Sequence, residues 1–345
     1  MASVSKTPSG GFRVLWYEDK KKRQKNFKTR AEAKKYASAL ELTPKERSSQ
    51  ILVSSLLQEY KEKVTPKKPS ARGETFRIEA FMRRPFAQKT LSQISREDIQ
   101  AFADERATEV APATVGREFS TLSAIFSYGV KQKLLAVNPC VGVEKPRPPE
   151  HRERVASDEE VKLLMDSVHW DGQTVPKTLA QIVVLMFLVA CKTGMRAGEI
   201  LALEDAWIEG RVIHLPADAT KTRTKRDVAL SKEALRLIKL GRDIGDRPRY
   251  FAKLSGEVRD VMWRRVRDRA GLGPVVDSKG RTVKEGLNFH DSRATFATWA
   301  ASPNPKTGAP RLDVLALARQ TGHKDLKMLM RYYRQTAEQI AEMLD

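Results

Sequence analysis

The sequence predicts a multidomain protein: a small N-terminal β-sheet backed by one helix, an all-α four-helix domain, and a mixed α+β, mainly helical domain toward the C-terminal end. Three observations predict it. Apolar periodicity changes from two residues to about 3.6 and then mixes both. The polar stretch Leu42-Thr-Pro-Lys-Glu-Arg-Ser-Ser49 and the proline-rich stretch Pro139 with Lys145-Pro-Arg-Pro-Pro149 read as connections. The length of 345 residues suits two or three domains. The boundaries fall at residues 1–48, 50–145 and 152–345.

The first domain opens on the turn Pro8-Ser-Gly-Gly11. Phe12, Val14 and Trp16 then alternate with Arg13, Leu15 and Tyr17, which is strand periodicity. Glu18 to Lys22 turn the chain into a second, basic strand ending near Phe27. Thr29-Arg-Ala-Glu32 has the spacing of a capping box and opens a helix to about Leu42. A small sheet with cationic edges can enter a major groove; it can equally be a solvated hairpin module.

In the second domain four helices are expected: Ile51 to Val64, Gly73 to Arg84, Arg96 to Thr108 after the cap Ser95, and Ala113 to Gln132. Ile99, Phe102 and Ala103, and then Phe119, Leu122, Ile125 and Phe126, recur at helical spacing. In the third, Ser157-Asp-Glu-Glu160 caps a helix and Leu179 to Val189 forms a buried one that stops at Thr193-Gly194. Met195-Arg-Ala-Gly-Glu-Ile-Leu-Ala-Leu203 starts the next, placing Arg196 in a first helical turn. Val212-Ile-His-Leu-Pro216 and Arg226-Asp-Val-Ala-Leu230 are two short strands. Asn288 to Ala297 opens a helix after the Gly286 turn. A last amphipathic turn carries Tyr332 and Tyr333 between Arg331 and Arg334. The tail Gln335–Asp345 spaces Ala337, Ile340, Ala341 and Leu344 helically. That tail packs either on its own domain or on a neighbouring protomer.

Composition limits the function classes. Lys+Arg number 63 against 43 Asp+Glu, a formal charge of +20. Residues 1–50 hold 13 basic against 5 acidic side chains. A surplus this large calls for a polyanionic partner, with nucleic acid the commonest. Two cysteines, Cys140 and Cys191, build no disulfide framework, and a cytoplasmic location fits. The N-terminus lacks an apolar signal core and the longest apolar run, Ile182 to Cys191, is half a bilayer span, so no membrane association is expected. His214 and His323 raise zinc, but no His/Cys/Asp cluster has ligand spacing, so neither metal nor cofactor is expected.

Several short patterns carry chemistry. Arg196 and Glu199 are three apart, a spacing that lets the carboxylate hold the guanidinium. Lys221 lies between the two strands, where a lysine can reach a duplex groove and protonate an oxygen leaving phosphorus. His290 and Arg293 share a helical face. Gly322-His323 stands nine residues before Tyr332. A phenol titrates near pH 10, so one that attacks a phosphodiester needs cations around it. Each pattern is common by itself: an exposed ion pair, a solubilising hairpin lysine, a packed tyrosine pair.

Together and in this order, Thr193-Gly-Met-Arg-Ala-Gly-Glu199, Lys221, His290-x-x-Arg293, Gly322-His323 and Tyr332 resemble the tyrosine recombinase (phage integrase) family. The likeness covers residues 152–334 closely. The four-helix stretch with its Asn138-Pro139 exit is similar to the family's core-binding domain, and residues 1–48 to the arm-site binding domain at the front of many integrases. Ser292 and Ala294 depart from the family's usual neighbours of the second arginine.

The resemblance implies a site-specific recombinase that acts on double-stranded DNA carrying recombination sites. It implies a homo-tetramer on two sites and DNA-bending accessory proteins as potential partners. Arg196 and Arg293 would clamp the scissile phosphate, Lys221 would protonate the leaving 5′ oxygen, and His290 would handle the nucleophile's proton. His323 would bond the phosphate, Glu199 would support Arg196 and His290, and Tyr332 would form a 3′-phosphotyrosine. Strands would then exchange through a Holliday junction without ATP or metal. The nine-residue spacing favours Tyr332 over Tyr333 as nucleophile. Integration and excision of a mobile element is the expected task. Inversion of DNA segments, as in shufflons, uses the same residues. A DNA-binding regulator without catalysis and a metal-dependent nuclease are the remaining alternatives.

Overall fold

The alternation at Phe12–Tyr17 forms a strand, as its period requires. In the computed structural model β2 (Phe12–Glu18) lies between β1 (Ser3–Lys6) and β3 (Lys21–Phe27), antiparallel to both. The strand β1 was not expected; a four-residue polar strand has too little apolar pattern to show. Structure is described for residues 3–8, 10–18, 21–41, 50–147, 154–221, 223–244, 248–251, 253–278 and 282–333. The tail after Tyr333 and the connection at 42–49 lie outside them.

Helix α1 (Arg30–Glu41) starts where the capping box predicts: Thr29 Oγ1 accepts from the Glu32 N–H at 3.2 Å and Glu32 accepts from the Thr29 N–H at 3.3 Å. It backs the sheet through Ala33 and Ala37, packed with Val14, while Lys22, Arg23 and Lys25 of β3 are exposed. The Lys25 ammonium lies 4.8 Å from the Tyr36 ring centre.

Four helices follow: α2 (Val53–Lys63), α3 (Ala71–Met82), α4 (Arg96–Glu109) and α5 (Pro112–Lys131), each within a few residues of its expected span. Their core holds Leu56, Ile78, Phe81, Ile99, Leu122 and Phe126. Fully burying such a side chain contributes about 2 kcal/mol. Pro112 opens α5 at a position whose N–H has no helical partner. The Asn138 amide donates to the Ser123 carbonyl at 2.9 Å and accepts from the Cys140 N–H at 2.9 Å, pinning the exit turn to α5.

The chain divides into two compact units, Met1–His151 and Arg152–Asp345. The second begins with α6 (Asp158–Ser167), where Ser157 and Glu160 form the expected capping box. Helix α7 (Leu179–Thr193) is apolar all round and sits at the centre. Around it pack α9 (Lys232–Arg242), α10 (Gly256–Arg269) and α11 (Asp291–Ala301). Phe187 of α7 stacks on Trp263 at 4.5 Å and meets Phe289 edge-on at 5.7 Å. A three-stranded antiparallel sheet runs β4 (Ile208–Glu209), β5 (Val212–Leu215), β6 (Arg226–Ala229). The hairpin β7 (Val275–Val276) with β8 (Thr282–Lys284) follows α10. After α11 come α12 (Val314–Thr321) and the short α13 (Lys327–Met330).

Cys140 and Cys191 are both buried and free, and burial raises both thiols, that of Cys140 to about 12. No helix among the described residues is long and apolar enough to cross a membrane. The described chain is mostly helical with small sheets.

Candidate active site

Helix α7 must stop for its end to be useful, and Gly194 stops it. The residue is left-handed (φ 68°), its N–H donates to the Ala190 carbonyl at 2.9 Å, and a Cβ there would lie 2.6 Å from Phe296. The chain turns outward and Arg196 adopts an extended conformation as the N-cap of α8 (Ala197–Leu201). This corrects the expectation that Arg196 stands in a first helical turn. Its own N–H is taken by Glu199 Oε2 at 2.8 Å, and its Nη1 donates to Glu199 Oε1 at 3.0 Å. Glu199 is 2% exposed, so the pair is not a surface one.

Arg293 arrives from α11. Its N–H donates to the carbonyl of His290, the residue that caps the helix, so the two stand one turn apart. The Arg293 side chain is buried and its two terminal nitrogens donate to the carbonyls of Gly194 and Thr321. Nη2 also lies 3.4 Å from His323 Nε2.

His323 follows α12, which ends on a second left-handed glycine, Gly322 (φ 69°). The Gly322 carbonyl accepts from Arg196 Nη2 at 3.4 Å, and His323 Nδ1 lies 2.7 Å from Thr321 Oγ1. The ends of α7 and α12 therefore bring Arg196, Arg293 and His323 together. A cavity of about 470 Å³ opens beside them, lined in part by Glu199, Thr220 and Arg226.

Lys221 is exposed at the tip of the β5–β6 connection. Thr220 shapes that tip: its hydroxyl reaches the carbonyls of Ala217 at 3.1 Å and Thr224 at 2.9 Å, and accepts from the Thr224 N–H at 3.0 Å. The lysine's charge is felt at His290. His214 stands apart, exposed and paired with Asp227 at 2.8 Å.

Tyr332 and Tyr333 come just after α13. Their N–H groups donate to the carbonyls of Leu329 and Met330, three residues back, so the two stand on a tight turn. The two phenols differ. The Tyr333 hydroxyl donates to the Leu312 carbonyl at 2.7 Å, and burial, with Asp313, pushes it up to about 12. Tyr332 is half-buried, lies under the Arg331 guanidinium at 5.8 Å, and is near enough for its charge to act on Arg293.

Cations outnumber the acids that face them. Burial lowers Arg293 first, then repulsion from Arg196 and Arg226, against attraction from Glu199. His323 is lowered to about 4 by burial and then by Arg293, Arg196 and Arg226. Burial lowers His290 as well, followed by Arg293 and Arg196. Both imidazoles are thus neutral at pH 7 beside charged guanidiniums, and an anion entering among them relieves the repulsion. Among the described residues no three His, Cys, Asp or Glu side chains converge as metal ligands would.

Two members of this constellation escaped the sequence reading. Arg226 begins β6 and donates to Glu199 Oε2 at 2.5 Å. Gln320 ties three segments with one amide: its nitrogen donates to the carbonyls of Thr193 and Ala229 at 3.0 Å each, and its oxygen accepts from the Ala229 N–H at 3.0 Å. The signal for Arg226 was its strand register. It shares a face with Val228, which is fully buried, so the alternation carries a charge onto the core side.

Comparison with known proteins points the same way. The family model described as "Phage integrase family" matches residues 154–339. A Haemophilus influenzae protein named as an integrase/recombinase is 30% identical over 330 residues, covering 94% of this chain and 99% of its own. The shufflon-specific DNA recombinase of Escherichia coli is 29% identical over 321 residues, covering 88% and 74% respectively. A lambda integrase dimer bound to a COC′ core site superposes over 96% of each chain with a TM-score of 0.65 at 17% identity. With the family model spanning the whole constellation and a relative aligned along nearly the full length, the chain belongs to the phage integrase family and is a tyrosine-type site-specific recombinase.

Proposed function

We propose that the protein integrates and excises a mobile DNA element, using Tyr332 as nucleophile. The cleavage chemistry is supported by the gathering of Arg196, Arg293 and the neutral His290 and His323, with Tyr332 near enough for its charge to act on Arg293, and the integrative task by the near-full-length likeness to an integrase/recombinase. Arg196 and Arg293 hold the non-bridging oxygens of the scissile phosphate and stabilise the charge that grows on them. The Tyr332 oxygen bonds to phosphorus as its proton passes to His290. The bond from phosphorus to the 5′ oxygen breaks, and Lys221 protonates that oxygen. His323 donates to the phosphate, and Glu199 orients Arg196. The phosphotyrosine keeps the energy of the original diester, so a 5′-hydroxyl from the partner strand reverses the step and joins the strands anew.

Lambda integrase has been solved as a tetramer bound to a Holliday junction. By analogy this chain works as a tetramer on two DNA sites. Residues 50–145 serve as a core-binding domain and 1–48 as an arm-site domain whose exposed Lys22, Arg23 and Lys25 meet phosphates. Inversion of DNA segments is the second reading, favoured by the likeness to the shufflon-specific recombinase. A nicked suicide substrate tests the reaction: it should trap a covalent protein–DNA adduct in EDTA, and sites flanking the gene in direct or inverted orientation separate the two tasks.

Two results are expected. Lys221→Ala should slow cleavage of an ordinary strand by about 10²-fold, within the range of general acids. Replacing the bridging 5′ oxygen by sulfur, which leaves without a proton, should bring the variant close to wild type. Equal slowing of both substrates would remove Lys221 from the role of acid. Deleting residues 1–48 should leave adduct formation at the core site within a few-fold while weakening binding to distal sites at least tenfold, as gel-shift titration would read.

A further inference from the structure

Glu199 presents a difficulty that the clamp alone does not resolve. Its buried carboxylate accepts from the Arg196 main-chain N–H at 2.8 Å and from the guanidinium Nη1 at 3.0 Å. An isolated one-to-one pair of this kind has no net charge, and the guanidinium would have little attraction left for a phosphate. Arg226 changes the balance. Its Nη2 lies 2.5 Å from Glu199 Oε2, and its side chain is 9% exposed. The cluster Arg196–Glu199–Arg226 therefore carries one net positive charge.

Arg226 is also an expensive residue to keep. Its Nε and Nη1 are buried with no hydrogen-bond partner among the described residues, a state that costs folding free energy and that an apolar side chain would avoid. It leans on the turn before His323 so closely that a Cβ on Gly322 would fall 2.6 Å from its Nη1.

We infer that Arg226 is a positioning residue of the cleavage reaction: it neutralises Glu199, so that the carboxylate can orient Arg196 without cancelling its charge toward the scissile phosphate. This rests on the clamp role proposed above for Arg196 and Arg293. The same guanidinium helps hold His323 and Arg293 below their ordinary values, as a cation facing that cluster must.

The test compares adduct formation by Arg226→Met and wild type on two nicked substrates. One carries the natural phosphate at the scissile position, the other an uncharged methylphosphonate. Arg226→Met should lose about 100-fold on the phosphate and less than about tenfold on the methylphosphonate, because the lost term is attraction to the phosphate's charge. Adding Glu199→Gln to Arg226→Met should recover about tenfold on the phosphate, since the uncompensated carboxylate is gone. Arg226→Lys should stay within about tenfold of wild type. Equal losses on both substrates, or no recovery from Glu199→Gln, would overturn the inference and leave Arg226 a scaffold residue. If Arg226→Met does not fold, Arg226→Gln takes its place in both comparisons. Failure of wild type itself to form the Tyr332 adduct would instead refute the clamp reading.

Discussion

Tyr332→Phe should abolish the covalent protein–DNA adduct on a nicked substrate, with a fall of at least about 10⁴-fold, because the variant has no oxygen to offer phosphorus. Tyr333→Phe should keep adduct formation within a few-fold of wild type. The neighbouring phenol is engaged elsewhere: it donates to the Leu312 carbonyl at 2.7 Å and is harder to ionise. Denaturing gel electrophoresis of the trapped complex reads both outcomes, and peptide mapping locates the phosphotyrosine. An adduct that survives in Tyr332→Phe and disappears in Tyr333→Phe would reverse the assignment.

Arg293→Ala should reduce the cleavage rate by about 10³-fold, the scale set by removing one preorganised donor from a developing oxyanion. Its DNA affinity should change little, one charge among a formal surplus of 20. Arg293→Lys should recover only a small part of the rate. An ammonium cannot span the Gly194 and Thr321 carbonyls while presenting a planar face to phosphate. The alanine variant should also unfold at lower temperature, because both buried carbonyls lose their donor. Single-turnover cleavage alongside equilibrium binding and thermal unfolding separates these effects. A loss confined to binding would place Arg293 on the DNA-contact surface and not at the reacting phosphorus.

The parts of this molecule that the sequence displays are those with local causes. Capping boxes at Thr29, Ser95 and Ser157 occur where the spacing places them, because each is settled within four residues. The order of Arg196, Lys221, His290, Arg293, His323 and Tyr332 was legible too, and the structure gathers the guanidiniums and His323 around the ends of two helices. What was hidden depends on distant contacts. The Gln320 amide finds Ala229, 91 residues away, and Arg226 finds Glu199 across 27. No window of sequence contains both partners. Arg196 misled although its cause is local: Glu199, three residues ahead, bonds its N–H as well as its guanidinium and holds it as the extended N-cap of α8. The tyrosines stand on a last turn, just beyond the four-residue α13, because their N–H groups close on carbonyls only three residues back.

The two left-handed glycines bear on how Arg196 and Arg293 are held. Gly194 gives its carbonyl to Arg293 and Gly322 gives its carbonyl to Arg196, each at the C-terminal end of a helix. The macrodipole leaves about half an elementary negative charge at such an end. Fractional charges fixed in the backbone can aim a guanidinium without titrating and without forming a full counterion. Arg293 is thus steadied by two peptide carbonyls and no carboxylate, whereas Arg196 adds the Gly322 carbonyl to its bond with Glu199.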